Sequence, residues 1–165
     1  MRAIALVIAA ATLAPGANAA AWREATDAEL KSVIPSRAPV EKERIETETR
    51  TASGITDGKG KFVAGVVLIT AGYSADGKYS HFFITQVPMK VGSIHLDPGE
   101  YVFGWKKSAN SLTIRFYNAQ TGQPLGTVDA PRTSKVGKIE QFHLYAPGDK
   151  AIMQVGRFGM PYELE

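Results

Sequence analysis

The sequence has no cysteine among its 165 residues. That excludes disulfides, thiolate metal sites, a cysteine nucleophile and the acylated cysteine of a lipoprotein anchor, so the fold must be held by packing alone. It also has little net charge: 19 lysines and arginines against 16 acidic residues give +3. A polyanion-binding surface needs far more than that, and nucleic acid is not an expected partner. Beyond the N-terminal segment, no apolar run comes near the roughly 20 residues that a membrane-spanning helix requires.

The N-terminal segment has the three parts of a secretory signal. Arg2 gives a short positive start, Ala3 to Leu13 form an uncharged apolar run, and Pro15 and Gly16 break it. Ala17-Asn18-Ala19 then places small residues at the −3 and −1 positions of a cleavage site. Cleavage after Ala19, or one residue later, removes only Arg2 among the charged residues and lowers the net charge by one, to +2. Three stretches are expected: a cleaved signal peptide over 1–19, a short helix and irregular lead over 20–39, and a single β domain over 40–165. The mature protein is expected to be exported, soluble in the periplasm or outside the cell, and not a lipoprotein.

Within the lead, Thr26 or Asp27 can cap a helix in which Leu30, Val33 and Ile34 recur at helical spacing; Pro35 ends it. From Val40 onward the grammar is that of strands. Arg44 to Ile55 interleaves charges with threonines, the pattern of an exposed strand, although Glu41 to Glu48 could also continue as a charged helix. Phe62 to Thr70 is a continuous β-branched run, expected to be a strand buried on both faces. Leu112, Ile114 and Phe116 alternate with Thr113, Arg115 and Tyr117, the clearest two-residue period in the chain. Turn signals stand at Thr56 to Lys61, Ala75 to Lys78, Asp97 to Gly99, Ser108 to Asn110 and Pro147 to Asp149. The tail from Gly156 reads as irregular, with Phe158 and Tyr162 able to pack back. The sum is about eight or nine short strands with turns every 8–12 residues, which predicts an all-β antiparallel sandwich or flattened barrel. Leu96-Asp97-Pro98-Gly99-Glu100-Tyr101-Val102 resembles a phrase common in exported β-sandwich modules, in which a proline-glycine turn starts a strand bearing a tyrosine. The resemblance implies the fold and carries no functional residue.

Catalytic motifs fail on context. Gly72 to Tyr79 has the glycine and lysine spacing of a phosphate loop, but Tyr79 stands where a magnesium-reaching hydroxyl belongs, and a strand pattern follows instead of a helix. A nucleophile elbow at Ser74 lacks its second glycine, because Asp76 occupies that position. A calcium loop from Asp57 would place Lys59 and Lys61 at ligand positions. Lys59 to Val63 lacks the interleaved aromatics of an RNA-binding strand.

Two groups of residues remain. His81, His95 and His143 could supply imidazole to a metal from separate strands, although strand phase turns His95 and His143 away from the main core. Tyr101, Phe103 and Trp105 form an aromatic stripe that either packs the core or holds a flat apolar ligand or sugar ring. No catalytic residue stands out, and no cofactor is implied. The expected function is a non-catalytic exported module that binds a protein partner, an envelope component or a small ligand. The alternatives are a barrel-type carrier of an apolar molecule using the stripe, and an extracytoplasmic enzyme with a histidine metal site.

Overall fold

The computed structural model describes residues 21–70 and 78–165. The signal-peptide reading of 1–19, and most of the Gly72 to Tyr79 segment with its turn, lie outside those residues. Among the described residues the chain is an antiparallel β-sandwich with one short helix and no closed barrel. The expected all-β fold is therefore present as a sandwich, with thirteen strands where about eight or nine were expected.

The lead begins with β1 (Arg23–Glu24), α1 (Asp27–Val33) and β2 (Arg37–Val40). Thr26 caps α1 in a capping box: its hydroxyl accepts from the Glu29 amide at 3.3 Å, and the Glu29 carboxylate accepts from the Thr26 amide at 2.9 Å. Arg23 grips the same carboxylate with both arms of its guanidinium, at 2.7 and 2.9 Å. These bonds, Arg23 first and the Thr26 amide second, hold the Glu29 carboxyl at about 2. Both flanking strands pair with the long β3 (Glu43–Thr56), so the lead is built into the sheet. The alternative of a charged helix over Glu41 to Glu48 is not realised, because that segment is the first half of β3.

The larger sheet continues through β4 (Phe62–Leu68), β5 (His81–Thr85), β8 (Gly99–Lys107), β9 (Ser111–Asn118) and β10 (Pro124–Pro131), in the order β1-β3-β4-β5-β8-β9-β10, with β2 also on β3. The smaller sheet runs β11 (Glu140–Leu144), β12 (Ile152–Gly156), β13 (Phe158–Leu164), β6 (Met89–Val91) and β7 (Ile94–Leu96). The tail expected to be irregular is β13, a central strand of that sheet. Met160 and Tyr162 alternate into the core there, and the Tyr162 hydroxyl donates to the Tyr145 carbonyl.

The central strands of the larger sheet are buried on both faces, as the unbroken apolar run of β4 predicts. Val63, Phe83, Tyr101, Phe103, Ile114 and Phe116 face the smaller sheet. Ala64, Val66, Leu68, Phe82 and Val102 face outward, beneath Leu30 of α1, Ile34 just after it, and Ala38 and Val40 of β2. The sheets approach closely at Gly65, where a Cβ would lie 2.6 Å from the Phe142 ring. Opposite it, β3 is bulged between Glu48 and Ser53. A side chain repairs the interrupted ladder, Thr51 Oγ1 accepting from the Val67 amide at 3.0 Å, while Ser53 Oγ accepts from the Leu144 amide of β11 at 3.0 Å and ties the two sheets together. Tyr101 closes the Asp97-Pro98-Gly99 turn by donating its hydroxyl to the Asp97 carbonyl at 2.6 Å.

Candidate functional site

Where β8 outruns its neighbour, the sandwich opens. Its last pair with β5 is Phe103 with His81, while on the other side it stays paired with β9 through Lys107. Among the described residues, 104 to 107 therefore have a strand partner on one side only. Tyr101, Phe103, Trp105 and Lys107 point to the same face by strand alternation. The first two lie deep between the sheets, at 7% and 0% exposure, while Trp105 emerges at 39%. The stripe is thus core at one end and surface at the other.

Trp105 and Lys107 line a cleft of about 440 Å³ together with residues from both sheets. Val67, Leu68 and Leu112 come from the larger sheet, and Val155 and Phe158 from the smaller one. Polar groups are few: Thr70, Ser80, His81 and Gln141 among the described residues, besides Lys107. An apolar concavity with a small number of placed polar groups is the usual form of a small-molecule site. Two other grooves flank α1, of about 330 and 790 Å³. Neither is lined by an exposed aromatic ring, and the larger is bounded mainly by α1 and the bulge of β3.

His81 forms part of the cleft floor. Its ring stacks on Phe103, with centroids 4.6 Å apart and planes within 7°, and leans on Phe142 at 5.8 Å. Nε2 lies 3.3 Å from the Gln141 carbonyl, and Nδ1 lies 2.7 Å from Ser80 Oγ. A carbonyl only accepts, so Nε2 carries the proton and Nδ1 accepts from the Ser80 hydroxyl. Burial lowers the imidazole to about 4, against the Gln141 carbonyl, which raises it. A serine hydroxyl on an imidazole is half of an acyl-transfer arrangement. A base that protonates near 4 is nevertheless poorly matched to neutral pH, and a backbone carbonyl stands where a triad places a carboxylate.

No family model, curated protein or solved structure matches the chain.

The three histidines each have their own surroundings. His95 is flanked by Asp97 at 3.3 Å and Glu165 at 2.9 Å, through different ring nitrogens. His143 bridges in the same way between Glu24 at 3.1 Å and Glu140 at 2.8 Å, with its ring against Tyr145. Carboxylates on opposite ring nitrogens cannot converge with that ring on one ion. Among the described residues no group of three or more His, Asp or Glu is arranged to hold a metal. The expected phase holds for two of them: His95 and His143 point opposite to the buried Ile94, Leu96, Phe142 and Leu144. Asp57 is occupied by its own loop, accepting from the Lys59 amide at 2.7 Å and the Lys61 amide at 3.0 Å. Sequence reasoning missed Ser80, Lys107 and Gln141, which carry no motif and reach the cleft only because separate strands end beside it.

Proposed function

We propose that this protein is a non-catalytic binding module whose cleft between the sheets, at Trp105, takes a small apolar ligand. The observation that supports this reading is the ring of Trp105, left 39% exposed over an apolar cleft of about 440 Å³ although its two stripe-mates are buried. Aromatic rings gain most from flat apolar or sugar partners when one face is free. The depressed basicity of His81 favours a polar floor that positions a ligand over one that transfers protons.

The reading places the module outside the cytoplasm, on the strength of the signal pattern over 1–19. No helix among the described residues is long and apolar enough to cross a membrane.

The experiment uses the two tryptophan indole N–H resonances, with Trp105 assigned by Trp105→Phe. Protein recovered from its own host, whose intact mass also fixes where the chain begins, is titrated with the neutral probe 4-tert-butylbenzyl alcohol. The Trp105 resonance is expected to shift saturably while that of Trp22, on the lead, stays in place. No shift at Trp105 up to the solubility limit of the probe would remove the reading.

A further inference from the structure

Resting on that reading of the cleft, we infer that its ligand is an apolar monoanion, a carboxylate on a compact hydrophobic body, with the charge taken by Lys107. Among the described residues, Lys107 is the one lysine or arginine lining the cleft, and burial keeps the other basic group, His81, neutral near pH 7. No described carboxylate lines the cleft. The Lys107 ammonium makes no ion pair with any described residue, so no described carboxylate competes with a ligand for it.

Spacing carries the inference further. Trp105 and Lys107 are two residues apart on one face of β8, which separates their Cα atoms by about 7 Å. A ring or branched alkyl body on the indole therefore has its attached carboxylate within reach of the flexible ammonium. Val67, Leu112, Val155 and Phe158 close round the apolar part. At the floor, the Ser80 hydroxyl already has His81 Nδ1 and the Phe103 carbonyl as acceptors, and the His81 Nε2 proton goes to the Gln141 carbonyl. The buried end thus offers little to a second charge, and the cation sits on β8 beyond the last strand pair with β5. That arrangement selects one apolar body and one anionic head.

Three probes with the same body separate the possibilities: 4-tert-butylbenzoate, 4-tert-butylbenzyl alcohol and 4-tert-butylbenzylamine, each followed at the Trp105 indole at low salt. The benzoate is expected to bind about tenfold tighter than the alcohol, the amine more weakly than either. In Lys107→Gln the benzoate should fall to the affinity of the alcohol, while the alcohol is unchanged and all other resonances stay in place. Equal affinity for benzoate and alcohol in the wild type would overturn the anion while leaving the cleft as a ligand site. So would a preference for the amine, or a benzoate advantage that survives Lys107→Gln. Silence of Trp105 towards all three would overturn both the inference and the reading beneath it.

Discussion

At the scale of single residues, the most consequential group is an imidazole that never charges in the folded state near neutral pH. His81 is buried against Phe103 and Phe142, and burial is the cause of its low value, about 4. In the unfolded chain a histidine protonates near 6.5. Between those two values the unfolded state holds a proton that the folded state does not, so stability falls as pH drops from about 6.5 to about 4 and levels off below. The loss relative to pH 7.5 is about 2 kcal/mol at pH 5 and about 3 kcal/mol at its limit. His81→Gln removes the titration while keeping a side chain that can meet both Ser80 and the Gln141 carbonyl. The gap in unfolding free energy between wild type and His81→Gln is thus expected to shift by about 2 kcal/mol, in the variant's favour, between pH 7.5 and pH 5. His95 and His143 are present in both proteins and cancel. Urea unfolding at the two pH values measures this, and a gap that does not move would show that His81 protonates in the fold. Glu29, held at about 2 by Arg23 and Thr26, keeps its charge throughout this window.

At the scale of elements, legibility followed burial symmetry. β4 was readable because both its faces are buried and its residues are β-branched; β9 was readable because only one face is. β13 was not. Phe158, Met160, Tyr162 and Leu164 keep a two-residue period, but Gly159 and Pro161 between them read as strand breakers; pairing with β12 and β6 fixes the segment as a central strand. β1, β2 and β6 have two, four and three residues, too short for a period to show. Of the cleft, the sequence displayed the stripe but not where burial stops along it, because that depends on β5 starting at His81. Strand phase assigns no face to His81, because its neighbours Phe82 and Phe83 are buried on opposite faces. The tight contact of the two sheets at Gly65 gives a test at this scale. At Gly65 an added Cβ would lie 2.6 Å from Phe142 Cζ and 3.3 Å from the Phe82 carbonyl. Gly65→Ala is expected to cost about 1–3 kcal/mol by overpacking. Phe142→Leu removes the clashing ring, so the double variant should be more stable than the sum of the single losses predicts. Thermal unfolding of the four proteins reads the coupling, and strictly additive losses would mean that β11 does not sit over Gly65.

At the scale of the whole molecule, the question is whether the lead of β1, α1 and β2 is an appendage or a layer. It touches both cores. Trp22 packs against the cluster between the sheets, while Leu30, Ile34 and Val40 are buried on the outer face, over Val66 and Phe82. Each of the three outer aliphatic side chains contributes about 2 kcal/mol on burial, roughly 6 kcal/mol together. Peeling the lead away would also expose the outer face of the central strands. A domain of this size has about 5–15 kcal/mol of stability in all. Opening the lead alone would therefore cost a large part of what unfolding the whole costs, and the two should coincide. The tryptophans are placed to test this, one on the lead and one at the cleft. In Trp105→Phe and Trp22→Phe, each with one fluorophore left, the urea transitions are expected to superimpose on each other and on the loss of strand signal in circular dichroism. Leu30→Ala, in either background, should lower the common midpoint by the equivalent of about 2–4 kcal/mol without splitting it. An earlier transition at Trp22 would make the lead a separate unit and would put the boundary of the β domain near residue 40. A single transition puts that boundary before Trp22, with helix and sheets folding as one.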